Sequence, residues 1–387
     1  MKEFNGQRLK TARTIRRYGL AELADVLGVK RQTVSMYESG KIADPGMERI
    51  RKMSEVLEFP VGFFLDSKEE AVNVSKGVYF RSLLTTGTRY REEQEAKISF
   101  VSTMYAFLSE YVSFPSLNLP TIYEDDTIED MAYKLREAWG LGRGPINDLI
   151  YHAEQNGILV TAFSTSTSDI DGFSQRLYID GEEKYLIALS KNKESAARMH
   201  FDVAHELGHI LMHDFDDNIE TLDPNEFRER EREANEFAAA FLLPKETFIN
   251  DIGPHAAKFQ YYIEMKHRWK VSIAAMLMRS KNLGLISYDT YQRLVRYMQT
   301  YGLRKNEPLD DELMTAQPAM LKTAVDMLLN GDVMTAREFV QEISMNYNLT
   351  LYPAQIEELL GLKKGRLKEA NLPLELNLKL KNNIENN

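Results

Sequence analysis

Apolar residues recur at helical spacing through most of the chain. At 5–17, Leu9, Ala12 and Ile15 mark one face of a helix. Short helices follow at 20–27, ended by Gly28, and at 30–38, ended by Gly40. Pro45 opens a fourth at 47–57 and Pro60 a fifth at 61–65. Helix, tight glycine turn, helix is the helix-turn-helix pattern. A connector at 67–90 holds a strand-like piece at 77–81, and 92–112 reads as a long amphipathic helix. The run Phe114-Pro115-Ser116-Leu117-Asn118-Leu119-Pro120 marks a boundary. The pattern then mixes: helices at 128–139 and 146–156, a β-rich run at 158–163, and two strands at 175–180 and 184–189 joined around Gly181. Helices follow at 194–212 and 225–243, the latter ended by Pro244, and continue to about 370. The polar end, 379–387, is expected to fray.

This pattern predicts a mainly α chain with a small β-sheet. A five-helix head occupies 1–66, and a linker with a long helix occupies 67–121. An α+β unit covers 122–250, a helical extension 251–308, and a helical C-terminal region 309–387. Length agrees, since 387 residues suit two or three domains. Apolar residues at 43% suffice for real cores, and the absence of cysteine excludes disulfides, Cys-ligated zinc and a thiol nucleophile. No signal core opens the chain, and no apolar run approaches a membrane span. A cytoplasmic protein without a membrane partner is expected. The net charge of −10 is uneven: residues 1–66 carry 12 Lys/Arg against 9 Asp/Glu, so the head is basic and the body acidic. That asymmetry points to a polyanion partner for the head alone.

The sharpest chemical signal is His205-Glu206-Leu207-Gly208-His209. Helical residues four apart differ by about 40° around the axis, so both imidazoles emerge on one face and can share one zinc ion. Glu206, one turn from His209, can then serve as the catalytic general base toward a water at the open position. Zinc needs a third protein ligand. The extended three-histidine pattern fails, because Met212 and Phe215 stand where its Gly and third His belong. A carboxylate from 225–243 is the other solution. Glu231 is the best placed, since Ala234, Asn235 and Ala238 share its face and allow close helix approach; Glu233 is the alternative. Asn235 and His213 are candidates to support the ligands, although His213 can equally be a helix-end or core histidine. His200 can simply pack, and Asp214, Asp216 and Asp217 read as a solvated loop. The 184–189 strand is a candidate edge for pairing with a substrate backbone, or else an ordinary sheet strand.

These residues, from Ala204 through His213, together with Glu231-Arg232-Glu233-Ala234-Asn235-Glu236-Phe237-Ala238-Ala239-Ala240-Phe241-Leu242-Leu243-Pro244, resemble the ImmA/IrrE family of zinc metallopeptidases. The resemblance implies a gluzincin-like fold, with His205, His209 and Glu231 as ligands and Glu206 as base. It also implies a narrow, conditional endopeptidase acting on a regulatory protein such as a repressor. The segments Tyr79-Phe80-Arg81-Ser82 and Trp269-Lys270-Val271-Ser272-Ile273, with Arg279 and 283–286, resemble pieces of chains in which such a peptidase follows a DNA-binding head.

Residues 23–40 resemble the Cro/C1-type (XRE) helix-turn-helix. Leu23, Ala24, Leu27, Val29 and Val34 can bury the angle between the two helices. The second helix then offers Arg31, Gln32, Thr33, Ser35 and Met36 to base edges and phosphates. Glu38 reads as a structural partner. Gly19 and Leu20 replace the usual capping residue and phosphate-clamping Gln, which shifts phosphate binding to Arg13, Arg16, Arg17 and Lys41. The expected partners are operator DNA, bound by a homodimer, and a protein substrate. Two other readings stand beside this one. One is a DNA-binding or antitoxin-like regulator whose zinc site is structural or inactive. The other is a peptidase whose head docks protein.

Overall fold

The computed structural model describes residues 3–66, 74–80, 88–163, 172–179, 181–191, 195–215, 223–304, 306–314 and 317–368. Arg81, Ser82, Asp216, Asp217 and 379–387 therefore lie outside the described residues.

The head begins with α1 (Gly6–Ile15), whose first N–H groups are capped by the Asn5 side chain. Next come α2 (Leu20–Leu27), α3 (Arg31–Glu38) and α4 (Met47–Leu57). Gly28 ends α2 at φ +70°, a left-handed conformation that glycine adopts without steric cost. Leu23, Ala24, Leu27 and Val34 are buried in the angle between α2 and α3. Gly6 lies so close to the end of α3 that a Cβ would meet the Tyr37 carbonyl oxygen at 2.0 Å. Two details differ from the sequence reading. Residues Val61–Leu65 form a 3-10 turn, because five residues after Pro60 are too few for an α ladder. Gly46 caps α4, so Pro45 precedes that helix instead of entering its first turn.

The long helix α5 (Thr88–Ser109) carries the head, with Phe63 edge-on to Phe100 at 5.8 Å. Then come α6 (Ile128–Ala138) and α7 (Leu149–Gln155). The sheet has four strands: β1 (Val74–Phe80), β2 (Ile158–Phe163), β3 (Gly172–Ile179) and β4 (Glu182–Ser190), in spatial order β1-β3-β4-β2. β3 pairs antiparallel with both β1 and β4, and β2 pairs parallel with β4. β4 is thus interior, with both edges occupied. Of the two readings of 184–189, the ordinary sheet strand is the one found: β2, buried along its whole length, takes the edge that a substrate would have used.

Two helices cross near the sheet, α8 (Ala196–Met212) against β3 and β4, and α9 (Pro224–Leu242) against α8. A Cβ on Gly208 would sit 3.2 Å from the Ala234 Cα and 3.1 Å from the Phe237 ring, so the two backbones nearly touch. Arg136 of α6, fully buried, donates to the carbonyls of Gly142 at 2.7 Å and Phe241 at 2.5 Å, and to that of Gly144. It pins the end of α9 to α6.

The remaining helices are α10 (Lys245–Ile252), α11 (Phe259–Trp269), α12 (Ile273–Asn282), α13 (Tyr288–Thr300), α14 (Met320–Asn330), α15 (Ala336–Asn346) and α16 (Pro353–Leu359). Arg279 forks onto Glu129 at 2.5 and 2.9 Å, tying α12 to α6. Buried Lys266 binds Glu307 and Asp310, and Glu307 also accepts the first N–H groups of α12. The C-terminal helices pack back on α5 and the head. The Thr350 N–H and hydroxyl both donate to Asp66, and Arg8 donates to the Asn348 carbonyl. No described helix is long and apolar enough to cross a membrane.

Glu154 on α7 accepts the Ala319 and Met320 N–H groups at the start of α14. Burial raises its carboxyl to about 7, above the ordinary 4.5, against those hydrogen bonds. A raised carboxyl favours the protonated folded state, so its contribution is full below about 4.5 and lost as pH rises through about 7. In Glu154→Gln that loss should vanish, a difference of about 3 kcal/mol across the window. Urea midpoints of both chains at pH 4.5 and pH 8 check this; parallel curves would refute it.

Candidate functional site

Ser195 takes the N-cap position of α8, and the helix carries His205, Glu206 and His209 into a buried site. The imidazoles converge with Nε2 atoms 3.0 Å apart. Glu231 arrives from α9 across the Gly208–Ala234 contact. Its two oxygens stand 3.6 Å from His205 Nε2 and 3.3 Å from His209 Nε2. All three ligand atoms lie within 4.8 Å of one another. Tetrahedral zinc at its usual bond lengths separates neighbouring ligand atoms by about 3.3 Å. The contacts of 3.0, 3.3 and 3.6 Å, the last two to different Glu231 oxygens, lie near that value, so the donor set fits a zinc ion.

Outside this triangle, His213 Nδ1 meets His209 Nδ1 at 2.9 Å, and His213 Nε2 meets Glu233 at 3.1 Å. Burial above all, with His209 and Arg230 nearby, pushes the His213 imidazole down to about 3, and a neutral ring can accept from His209. That contact orients a ligand histidine through its other nitrogen. Glu233 is spent on His213 and turns away from the ligand triangle. Burial, then Glu229, raises its carboxyl. Asn235 donates to the Glu231 backbone carbonyl at 2.6 Å and so braces the helix turn that carries the carboxylate. His200 is a core histidine, pushed down to about 4 by burial and then Lys270.

Glu206 is buried, and the Ser174 hydroxyl of β3 donates to it at 2.7 Å. Ser174 escaped the sequence reading. The one available signal was the small pair Gly172 and Ser174, two apart on a strand and so on one face. A Cβ at Gly172 would lie 3.8 Å from Glu206 Oε1, in ordinary contact, so Gly172 borders the carboxylate.

In the head, α3 presents Arg31, Gln32 and Ser35 fully exposed, with Thr33 and Met36 partly exposed and Lys41 exposed beyond its end. Lys30, exposed at the N-cap, adds a cation that the sequence reading passed over. The three α1-end arginines make contacts within the fold. Arg13 forks onto Glu38 at 2.5 and 3.0 Å and bonds the Tyr18 carbonyl. Arg16 donates to the Leu57 and Glu58 carbonyls and lies over the Phe59 ring. Arg17, at φ +59°, pairs with Glu93 at 2.7 Å and lies over Tyr90. They staple α1 to α3, α4 and α5.

Residues 9–64 match the family described as helix-turn-helix, and residues 153–281 match the IrrE N-terminal-like domain, a peptidase family. The chain joins a helix-turn-helix unit to an IrrE-like unit. Two regulators of Bacillus subtilis (strain 168) are similar to part of it. One is the SPbeta prophage-derived uncharacterized HTH-type transcriptional regulator YonR, 40% identical over 60 residues, 16% of this chain and 55% of that protein. The other is the HTH-type transcriptional regulator SinR, 37% identical over 65 residues, 17% of this chain and 59% of that protein. The chain thus spans little more than half the length of these relatives. The IrrE-like match contains β2, β3, β4, α8 and α9, and therefore the whole ligand triangle.

The placement of Arg13 and Gln32 makes opposite predictions. Arg13→Met strands nearly buried Glu38 and should lower stability by about 3 kcal/mol, read as a fall in the thermal midpoint. Gln32→Ala should leave that midpoint within a degree or two, yet weaken specific DNA binding by roughly 5- to 150-fold. Melting and titration with a selected DNA site check both.

Proposed function

We propose that the chain is a cytoplasmic DNA-binding regulator whose IrrE-like unit is a zinc-dependent endopeptidase acting on a regulatory protein, such as a repressor. The observation that carries this reading is the triangle His205, His209 and Glu231 with Glu206 one turn away. A zinc ion bound there supplies a Lewis acid and brings the pKa of water to about 7. Glu206 takes a proton from the attacking water and returns it to the leaving amine. The Ser174 hydroxyl donates to one Glu206 oxygen and holds the carboxylate in place. His213 and Asn235 fix the ligand turns, as described above. In this reading the head, 1–66, binds operator DNA as a homodimer through Arg31, Gln32, Thr33, Ser35 and Met36, with Lys41 toward phosphate. The divisions at 66, 121, 250 and 308 belong to the same reading.

One observation favours a second reading. Glu206 is almost wholly buried, as a closed structural zinc site would have it, and then the chain regulates transcription without cleaving protein.

Elemental analysis tests the metal. Wild type should hold about one zinc per chain, and Glu231→Ala, purified identically, should hold at least tenfold less. Zinc retained in the variant would transfer the third ligand elsewhere; none in wild type would end the peptidase reading. Glu206→Gln separates the two readings. It should keep the zinc and lose cleavage by 100-fold or more, while a variant with unaltered regulation of the target gene would favour the structural site.

A further inference from the structure

β1 is the strand that comes from outside the IrrE-like match: it spans Val74–Phe80, whereas that match begins at residue 153. In the chain it lies between the head and α5. It adds to β3 on the side opposite β4, antiparallel, with Val78 opposite Gln175, Tyr79 opposite Ser174 and Phe80 opposite Phe173. This is the stretch of β3 that borders Glu206. Ser174 is the residue whose hydroxyl bonds that carboxylate, and Gly172 lies beside it. Toward Val74 the pairing is broken by a register shift, so regular pairing is confined to the Glu206 end.

A polypeptide that is to be cut must lie extended past the reacting groups. Adding it as a strand to a sheet edge aligns its backbone without any demand on its side chains. β4 has no edge to give. The outer edge of β3 runs beside Glu206, and the chain's own linker is already on it. We propose that this edge is the docking surface for an extended protein segment, and that Val74–Phe80 holds it as an internal competitor which a substrate must displace. The inference rests on the reading of Glu206 as the reacting base.

The competitor suits that task. Three regularly paired residues beside an irregular register make a weak strand, which alone would not hold an edge. Tethering at both ends gives it a high effective concentration, so it prevails until something removes it. One tether is the head, the part expected to meet DNA.

The test uses the full chain with 74–80 replaced by a Gly/Ser segment of equal length. The probe is a fluorescent peptide carrying the residues of Val74–Phe80, titrated by anisotropy into metal-free and zinc-loaded protein. The replaced chain should bind the peptide at least tenfold more tightly than wild type. Amide exchange across 172–179 should quicken in the replaced chain and slow again with peptide. Equal binding by both chains, with α8 and α9 still protected from exchange, would overturn the proposal. Should the replacement unfold the protein, Val78→Pro removes one pairing position and must give the same ordering of affinities; no difference from wild type would again overturn it. The two failures are distinguishable. Peptide binding in a chain that never takes up zinc would end the peptidase reading and leave the docking edge standing. Zinc uptake with no difference in peptide binding would do the reverse.

Discussion

The near-contact of α8 and α9 at Gly208 and Ala234 sets the geometry on which the site depends. Two histidines on one helix are placed by helical pitch alone. The third donor is on a different helix, and a carboxylate reaches only a few ångströms. With backbones this close, Glu231 meets both Nε2 atoms within 3.6 Å. A larger residue at 208 would push α9 outward, and the triangle would open. Everything around that seam holds the spacing: Arg136 fastens the end of α9, Asn235 braces the turn of Glu231, and Phe237 fills the space beside Gly208.

Much of this was legible beforehand because it follows from helical periodicity. The His205–His209 spacing, the small residues opposite it and the choice of Glu231 over Glu233 all come from counting around a helix. The head was legible for the same reason, from Gly28 and the apolar residues flanking it. The sheet was less so. Strand alternation gives the hairpin but not which strand sits at an edge, since that is fixed by a partner far away in sequence. So the place of 184–189 in the sheet stayed open between an edge and an interior strand, and the role of Ser174, which needs both the strand register and the helix beneath it, had only the small pair Gly172 and Ser174 to mark it. The arginines of α1 show the same limit. Their carboxylate and carbonyl partners within the fold leave no local trace, and Glu93 is 76 residues away from Arg17.

The site and the head are therefore joined in two ways. One is covalent, through the linker whose strand completes the sheet. The other is by packing, through α5 and the C-terminal helices, on which the head rests by Phe63, Arg17 and Asp66. In the proposed function such continuity would link the head to the centre, and the Arg17–Glu93 pair and the Asp66–Thr350 bonds give the seam a defined position.

The Asp66–Thr350 contact also has a consequence for synthesis. Its partners are 284 residues apart, so the head leaves the ribosome long before its docking surface exists. At the usual 5–20 residues per second, the delay is roughly 15–60 s. A helical head with local contacts folds within milliseconds. During that interval each nascent chain carries a folded head held only by its linker, and the α5 seam is unfinished. The order of translation thus completes the DNA-binding head first and its docking onto the body last.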